Sequence, residues 1–206
     1  MACIESDVGA EAIILRTDYL GLPSVKKVRP VKKYRHPDLD ASLRTHRTKH
    51  EVRMIREARR TGVRTPVIYD ADLAEGSITM EYIPGKKVRD LIEEEPERIP
   101  EVCGMIGTCL AKMHSGKISH GDLTTSNMIM TDSGELCIID FSLGSLKAGL
   151  EEMGVDLHLL ERAFTSAHSE HPEAFPMVVE AYRENMRDAA SVLKRVEDIK
   201  KRARYT

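Results

Sequence analysis

Apolar and polar positions follow two different patterns along this chain, and the change falls at Pro84–Gly85. Before it, short apolar runs are bounded by turn residues, which is the pattern of strands. Turns are expected at 18–23 and at Glu75–Gly76 because Gly and Pro interrupt the runs there. The runs that predict strands lie at 10–15, 24–28, 66–72 and 77–82. Among them, good helix formers predict one helix from about Leu43 to Arg60, which Gly62 stops.

Beyond Pro84–Gly85 the apolar residues recur mainly at helical spacing. A short hairpin interrupts them, with apolar runs at 128–130 and 136–139 and a turn at 132–134. Helices are expected at 88–95, 101–115, 156–166, 172–185 and 189–201. Strands first and helices later predict an α+β fold in two lobes. The expected parts are an N-lobe at 1–82, a hinge at 83–86 and a helical C-lobe at 87–206.

Composition excludes several classes of protein. In 206 residues no apolar stretch approaches the roughly 20 residues that span a bilayer, so we expect no membrane partner. The acidic N-terminus does not look like a signal peptide, and the four cysteines form no C-x-x-C pair. Reduced thiols in a cytoplasmic protein are therefore expected. Trp is absent and aromatic residues make up 4% of the chain, which argues against a base-stacking platform.

The charge is unevenly distributed although the net charge is only -2. Between Lys26 and Arg64, fourteen Lys and Arg residues stand against four acidic ones, and six more basic residues follow from Lys194 onwards. This distribution indicates an acidic partner, with RNA as the leading candidate, although the helix face at 48–60 could simply be solvated. The end at 199–206 shows no periodic apolar face, so we expect it to be mobile.

The segment His120–Asn127 (H-G-D-L-T-T-S-N) carries the strongest chemical signal. Asn127 follows Asp122 by five residues, and Asp140 follows it by eighteen at the start of a D-F-S turn. In kinase-type sites the first Asp orients a hydroxyl, and the Asn and the second Asp hold metal ions on the nucleotide phosphates. The hairpin between them would bring both acidic groups to one end. The sequence therefore predicts Mg-ATP binding and a protein-kinase-like fold with a reduced C-lobe.

The remaining parts of such a site are less sharply marked. A lysine on the third strand could be Lys26 or Lys27, which point to opposite faces, and its partner in the following helix would be Glu51. No G-x-G-x-x-G occurs, so the cover over the phosphates would be loose. Residues expected to contact the nucleotide are Gly9, Ala10 and Glu11 in that cover, and Glu81 and Ile83 at the hinge, whose backbone would meet adenine.

Three positions around the loop have an expected supporting role. His120 is expected to brace the loop rather than to transfer a proton. Gly121 replaces the arginine that commonly docks an activation-loop phosphate, so a phosphorylation switch is not expected. Asp156 could brace the loop by accepting backbone hydrogen bonds, or could simply cap a helix.

Three segments together closely resemble one known family: 32–37 (K-K-Y-R-H-P), 120–127 and 154–157 (G-V-D-L). The chain is similar to the small atypical kinase/ATPase subunit of the KEOPS (EKC) complex, which is related to RIO kinases. The resemblance covers nearly the whole chain and implies a truncated C-lobe. It also implies partnership with other KEOPS subunits, including the one that makes threonylcarbamoyladenosine on tRNA. ATP turnover, rather than phosphorylation of proteins, is the activity it implies.

The resemblance also assigns roles to residues. It implies that Lys27 binds phosphate, that Glu51 pairs with this lysine, and that Asp122 accepts the proton. Asn127 and Asp140 are the implied Mg2+ ligands. The basic tail that the resemblance implies, expected to bind tRNA, comprises Lys200, Lys201, Arg202 and Arg204. One departure is Ser142, which stands where the D-F-G turn usually has glycine and would restrict that turn.

Two other functions fit parts of the pattern. A small-molecule kinase of the aminoglycoside or choline type shares the H-G-D loop, but about 65 residues after Ser142 leave little room for its acceptor-binding helices. A nucleotide-gated tRNA-binding scaffold would explain the basic regions. The set Asp122, Asn127 and Asp140 argues against that scaffold, since it has no need for two metal-binding groups.

Overall fold

The computed structural model describes residues 6–8 and 12–203, and their packing divides the chain into two compact units. The first unit comprises Met1–Arg53 and Pro66–Ile83, and the second comprises Met54–Thr65 and Pro84–Thr206. Residues 54–65, which the sequence placed in the first lobe, therefore group with the second unit. The mixture of strands and helices confirms the predicted α+β class.

Five strands form the sheet of the first unit: β1 (Ser6–Val8), β2 (Ile13–Tyr19), β3 (Leu22–Val28), β4 (Ile68–Asp72) and β5 (Ser77–Glu81). All neighbours are antiparallel, in the order β1-β2-β3-β5-β4. Lys27 lies between Ile14 of β2 and Ile78 of β5, so β3 is an interior strand. Because both edges of β3 are paired, the directions of its side chains are fixed.

The connection between β2 and β3 is tighter than the predicted turn at 18–23. Leu20 and Gly21 alone form it, with φ of 53° and 85°. Positive φ at both central residues matches the twist of a two-residue hairpin. The Gly21 N–H also donates to Asp18 Oδ1 at 2.7 Å. The expected limits of the turn were wrong because the strands continue to its two central residues.

Helix α1 (Pro37–Arg60) begins six residues before the predicted start at Leu43. Proline suits the first helical position, and Asp38 and Asp40 in the first turn favour the positive end of the helix dipole. The buried side of this part of α1 is polar, since Asp40, Thr48 and Glu51 are at most 1% exposed. Hydrophobic periodicity could not reveal residues 37–42 of this helix, because their one buried side chain, Asp40, is not apolar.

The second unit combines short strands with five helices. The strands are β6 (Gly85–Lys87), β7 (Ile118–Ser119), β8 (Met128–Thr131), β9 (Leu136–Ile138) and β10 (Ser145–Leu146). They form one sheet in the order β6-β8-β9 and a separate pair, β7 with β10. The predicted hairpin is the β8–β9 pair. Strands β6, β7 and β10 were not predicted, because two or three residues leave no alternation to detect.

The helices of the second unit are α2 (Val88–Glu94), α3 (Ile99–Ser115), α4 (Leu150–Ala167), α5 (Ala174–Asn185) and α6 (Ala189–Ala203). All five were expected, although α4 begins six residues before its predicted start at Asp156. In the part of the chain that the structure describes, no helix is long and apolar enough to cross a membrane.

Helices α3 and α5 pack at unusually close range through a glycine. An added Cβ on Gly107 would lie 2.4 Å from the Val178 carbonyl oxygen and 2.7 Å from the Tyr182 backbone nitrogen. Val178 and Tyr182 are fully buried, as is Leu110 of α3. Glycine at this position therefore sets the distance between the two helices and the packing of their apolar side chains.

Helix α6 corrects the expectation of a mobile tail. Its apolar face begins at Ala189 and continues through Val192 and Val196, all of which are buried. Ile199 follows at helical spacing and is half-buried. The sequence pattern from Ile199 onwards does not show this face, because most of its apolar residues precede Ile199. Lys200, Lys201 and Arg202 are therefore helical, while Arg204 lies outside the described residues.

The basic end of α6 is also tied to α4. Lys200 Nζ donates to Glu161 Oε1 at 2.7 Å and to Glu197 Oε1 at 3.0 Å. Although partial burial lowers the pKa of Lys200, its hydrogen bonds to these two carboxylates outweigh that effect and raise it. Arg202 donates to Glu151. The end of α6 is therefore part of the fold and not a free arm.

We expect Gly107→Ala to lower the free energy of unfolding by about 1–3 kcal/mol, because a methyl group overpacks the α3–α5 contact. The matched control is Gly104→Ala on the same helix, where an added Cβ meets nothing within 4 Å. That exchange should be neutral or stabilising by up to about 1 kcal/mol, since alanine favours helix. Urea unfolding followed by circular dichroism measures both, and equal stabilities would contradict the packing role of Gly107.

Candidate functional site

In the first unit the structure brings together the predicted lysine and glutamate. Lys27 Nζ donates to Glu51 Oε1 at 2.7 Å, and the two side chains are 6% and 1% exposed. Lys26 points to the other face of β3 and pairs with Glu75 at 2.6 Å. The geometry therefore selects Lys27 over Lys26 as the partner of Glu51, a choice that the alternation of the strand left open.

In the second unit Asp122 and Asn127 lie at the two ends of one short loop. Asn127 Nδ2 donates to the Asp122 carbonyl at 2.8 Å and to Asp122 Oδ2 at 3.2 Å. Between them Leu123 is fully buried and anchors the loop, while the Asp122 side chain is exposed. A turn of 3-10 helix over Thr125–Asn127 then leads directly into β8. The loop thus presents one carboxylate and one oriented amide to solvent.

Asp156 braces this loop by accepting backbone hydrogen bonds, which is one of the two roles expected for it. Its carboxylate accepts the backbone N–H of His120 at 2.6 Å and that of Gly121 at 2.7 Å. Asp156 is fully buried in the interior of α4, so it is not a helix cap. His114 of α3 lies 3.4 Å from the same carboxylate. A charged acceptor of two backbone donors makes strong hydrogen bonds, so the loop backbone is fixed at its base.

His120 has the bracing role expected from the sequence. Its ring is fully buried, and Nδ1 accepts the Asp122 backbone N–H at 3.3 Å. That bond assigns the ring proton to Nε2, which lies 2.9 Å from the Ile139 carbonyl oxygen. The ring also packs on Phe141, with centroids 4.7 Å apart. His120 thereby joins the loop to the residues on either side of Asp140.

Asp140 occupies a strained backbone position that Ser142 supports. Its φ is 61°, in the left-handed region that few residues other than glycine adopt readily. The hydroxyl and the backbone N–H of Ser142 both donate to Asp140 Oδ1. Ser142 itself has no positive φ, so the serine is accommodated where the related turn has glycine. The expected restriction of this turn takes the form of two donors that orient the Asp140 carboxylate.

The two predicted hinge residues, Glu81 and Ile83, have defined positions at the end of the first unit. The Glu81 N–H donates to the Val67 carbonyl at 2.8 Å, and Glu81 Oε2 accepts the Val67 N–H at 3.0 Å, so this residue closes the end of β5. Ile83 is buried at the end of the first unit. The predicted phosphate cover, Gly9, Ala10 and Glu11, lies outside the described residues.

His168 links the end of α4 to the loop, an interaction that the sequence did not suggest. Its Nε2 lies 3.0 Å from Thr125 Oγ1, and both residues are nearly fully buried. Burial lowers the pKa of His168. Across residues 6–8 and 12–203 there is no group of three His, Cys, Asp or Glu side chains that could hold a metal ion.

Sequence reasoning missed two residues that organise the first unit. Arg29 donates to the second oxygen of Glu51, and its position two residues after Lys27 places both side chains on one face. Asp40 accepts from Arg44 Nε at 2.9 Å and from Arg35 Nη1 and the Lys32 N–H at 3.4 Å. Although burial raises the pKa of Asp40, these hydrogen bonds, Arg44 first, outweigh it and lower the pKa.

Comparison with known proteins gives consistent results. Residues 24–148 match the RIO domain. The chain is 40% identical to a probable bifunctional tRNA threonylcarbamoyladenosine biosynthesis protein of Thermoplasma volcanium, over 97% of this chain but only 37% of that protein. It is 38% identical to the EKC/KEOPS complex subunit BUD32 of Gibberella zeae, over 95% of this chain and 83% of that subunit. An EKC/KEOPS complex subunit of Schizosaccharomyces pombe is also 38% identical, with 95% and 86% covered.

A solved structure supports the fold. The Rio2 kinase of Chaetomium thermophilum, crystallised as an ADP/Mg2+-phosphoaspartate complex, aligns with a TM-score of 0.67 over 98% of this chain and 71% of that one. The sequence identity is 14%, so this similarity concerns the fold alone. It confirms the predicted kinase-like architecture.

The burial of His168 makes stability depend on pH. Because burial lowers the pKa of His168 below its ordinary value of 6.5, its contribution is complete above that pH and is lost as the pH falls through the folded value. In His168→Gln the side chain can still bond Thr125 but cannot titrate. We therefore expect the free energy of unfolding to fall less between about pH 7 and pH 5 than in the wild type.

The control for this experiment is His36→Gln, because the His36 side chain is 73% exposed. This variant should keep the wild-type dependence of stability on pH. Denaturant unfolding at a series of pH values measures all three proteins. An unchanged slope in His168→Gln would show that the burial of His168 is not coupled to folding.

Proposed function

From the premise that the chain belongs to the RIO-domain family and, within it, to the family of the EKC/KEOPS subunit BUD32, we propose that it is an atypical kinase/ATPase subunit of a KEOPS complex. In this proposal it binds Mg-ATP and supports threonylcarbamoyladenosine modification of tRNA. The observation that carries the proposal is the arrangement of Asp122, Asn127 and Asp140. Asn127 donates a hydrogen bond to Asp122, and Ser142 donates one to Asp140.

The donor set of the second unit fits Mg2+. This ion prefers oxygen ligands and takes one or two carboxylates, with phosphate and water oxygens completing the shell. Asn127 donates with Nδ2 to Asp122. The Oδ1 atom of Asn127 therefore points away from Asp122. The Asp140 carboxylate is oriented by Ser142. We assign Asn127 and Asp140 as ligands, and the bound ion would neutralise charge on the phosphates.

Asp122 is the proposed proton acceptor. Its exposed carboxylate stands at the start of a loop fixed by Asp156 and His120, so it can orient a water molecule or a hydroxyl without rearrangement of the backbone. The same chemistry would serve ATP hydrolysis or transfer to a Ser/Thr hydroxyl. We propose ATP turnover as the main activity and Ser/Thr phosphorylation, including autophosphorylation, as a secondary one.

The first unit would bind the rest of the nucleotide. Lys27, held by Glu51, is the proposed phosphate ligand, and the segment Gly9–Glu11 is the proposed cover. Backbone groups at Glu81 and Ile83 are proposed to meet adenine. A buried lysine with a buried carboxylate partner has a defined direction, which supports this assignment.

The names of the relatives support the proposed partners. The chain spans 37% of the length of the bifunctional relative from Thermoplasma volcanium, so partnership with a threonylcarbamoyladenosine-forming subunit and with other KEOPS subunits remains part of the proposal. We propose that tRNA contacts the basic end of α6 at Lys200, Lys201 and Arg202, continuing to Arg204. Cys103, Cys109 and Cys137 are not joined in disulfide bonds, which supports a cytoplasmic setting.

We expect Asp140→Ala to lower Mg-ATP turnover about 100-fold or more in a protein that still folds, because transition-state charge stabilisation is lost. The Mg2+-dependent gain in ADP affinity should disappear as well. Turnover is measured by phosphate release, and affinity by calorimetry with and without Mg2+. Turnover within about threefold of the wild type would contradict the assignment of Asp140.

Asp122→Asn is the companion variant, because it keeps the shape of the side chain. It should lower turnover about 100-fold while changing ADP affinity by less than about threefold, since this residue acts on the attacking group. A collapse of ADP affinity would make Asp122 a nucleotide ligand. A wild type that binds ADP but never turns over ATP, even with its partner subunit and tRNA, would instead favour the scaffold function.

We expect Lys201→Gln to weaken tRNA binding and to make the dependence of log affinity on log salt less steep by about one. Lys201 is exposed on α6, so the exchange should not change the thermal stability. The control is Lys112→Gln, an exposed lysine on α3. Filter binding across a salt series measures both variants in complex with the partner subunit. Equal slopes for the two variants would show that the end of α6 does not contact RNA.

A further inference from the structure

Glu51 holds two cations, one on each carboxylate oxygen. Lys27 Nζ donates to Oε1 at 2.7 Å, and Arg29 Nη2 donates to Oε2. Lys27 and Arg29 are each 5% exposed and Glu51 is 1% exposed. Two residues of spacing place both cations on the same face of the extended chain. The Lys27–Glu51 pair is therefore part of a buried arrangement of three residues that includes Arg29.

Arg29 is itself mounted rigidly. Its Nη1 lies 3.4 Å from Thr48 Oγ1, one helical turn before Glu51 on α1. Its backbone N–H donates to the Gly76 carbonyl at 3.1 Å, next to β5. The guanidinium therefore connects two successive turns of α1 to the end of β3. A planar group with fixed donors loses less freedom per hydrogen bond than a lysine, so it holds a carboxylate in a defined orientation.

This arrangement limits what Glu51 can do. A carboxylate with a single partner can rotate and offer either oxygen, or both, to that partner. Because Arg29 occupies Oε2, Glu51 accepts the hydrogen bond of Lys27 with Oε1, and this bond orients the lysine side chain. Both terminal nitrogens of Arg29 are engaged, Nη2 with Glu51 and Nη1 with Thr48, so Arg29 acts through Glu51 rather than on a ligand.

We propose that Arg29 is a positioning residue that sets the direction of Lys27 by holding Oε2 of Glu51, and thereby sets the affinity of the site for phosphate groups. The proposal rests on the nucleotide-binding function proposed above and names a residue that this function does not include. It predicts an effect on the phosphates of the nucleotide and none on its nucleoside part.

The test compares ADP with adenosine, because the two ligands differ only in the phosphates. Arg29→Met should weaken ADP binding about tenfold and adenosine binding by less than about twofold. In a Lys27→Met background the same Arg29→Met exchange should weaken ADP binding by less than about twofold, since the lysine that it positions is gone. Calorimetry on the full chain gives the stronger affinities, and displacement of a fluorescent ADP gives the weaker ones.

The structural control is Arg44→Met. Arg44 also bridges a buried carboxylate of α1, Asp40 at 2.9 Å, and it also ties the helix to the turn between β4 and β5 through the Glu75 carbonyl at 2.7 Å. Its hydrogen bonds go to Asp40 and to the carbonyl oxygens of Ala74 and Glu75, and none of these bonds involves Glu51. Arg44→Met should lower the melting temperature while leaving the ratio of ADP to adenosine affinity unchanged within about twofold.

Several results would overturn the proposal. Equal losses of ADP and adenosine binding in Arg29→Met would reduce Arg29 to a structural residue. An undiminished loss of ADP binding in the Lys27→Met background would mean that Arg29 acts on phosphate independently of Lys27. If Arg29→Met does not fold, Arg29→Lys serves instead, because lysine lacks the rigid planar fork of donors that holds the Glu51 carboxylate in one orientation. Wild-type ADP affinity in that variant would overturn the proposal. A wild type that binds neither ADP nor ATP would fail the proposed function first, and the role of Arg29 with it.

Discussion

Three buried carboxylates, and the donors that each one requires, determine how this protein is organised. An ionised carboxylate cannot be removed from water unless it is paired and hydrogen-bonded. Asp40 collects Arg35, Arg44 and the Lys32 N–H, and Glu51 collects Lys27 and Arg29. Asp156 collects two N–H groups of the loop before Asp122. The partners of Asp40 are close to it in sequence, whereas Glu51 and Asp156 fix residues that are distant in sequence. Those two carboxylates also fix groups of the candidate site.

The sequence predicted those parts of the fold that depend on local patterns. The five helices of the second unit have apolar periodicity, and the β8–β9 hairpin has a clear turn. The start of α1 was missed because the one buried side chain of residues 37–42 is Asp40, which periodicity counts as exposed. The end of α6 was misjudged because the last turn of a helix shows little of its pattern alone. The first error arises where pairing, rather than apolar burial, decides the structure. The second arises because the apolar face of α6 lies mostly before Ile199.

The candidate site shows the same division. The spacing from Asp122 to Asn127 and Asp140 is visible in the sequence because these residues follow one another through a hairpin. The choice between Lys26 and Lys27 needed the register of β3 and the position of Glu51 on α1. The role of Arg29 could not be predicted, because Arg29 binds the second carboxylate oxygen of Glu51, and Glu51 lies on a helix that is distant in sequence. Sequence reasoning therefore missed the residue that acts on the site only by binding another site residue.

Gly121 has an evolutionary consequence. Its φ is 80°, and a Cβ at this position would lie 2.1 Å from the Leu143 carbonyl oxygen. The arginine common at this position in protein kinases therefore cannot be introduced by a single substitution, because the segment around Leu143 would also have to move. An evolutionary path to control by phosphorylation through position 121 would need both changes.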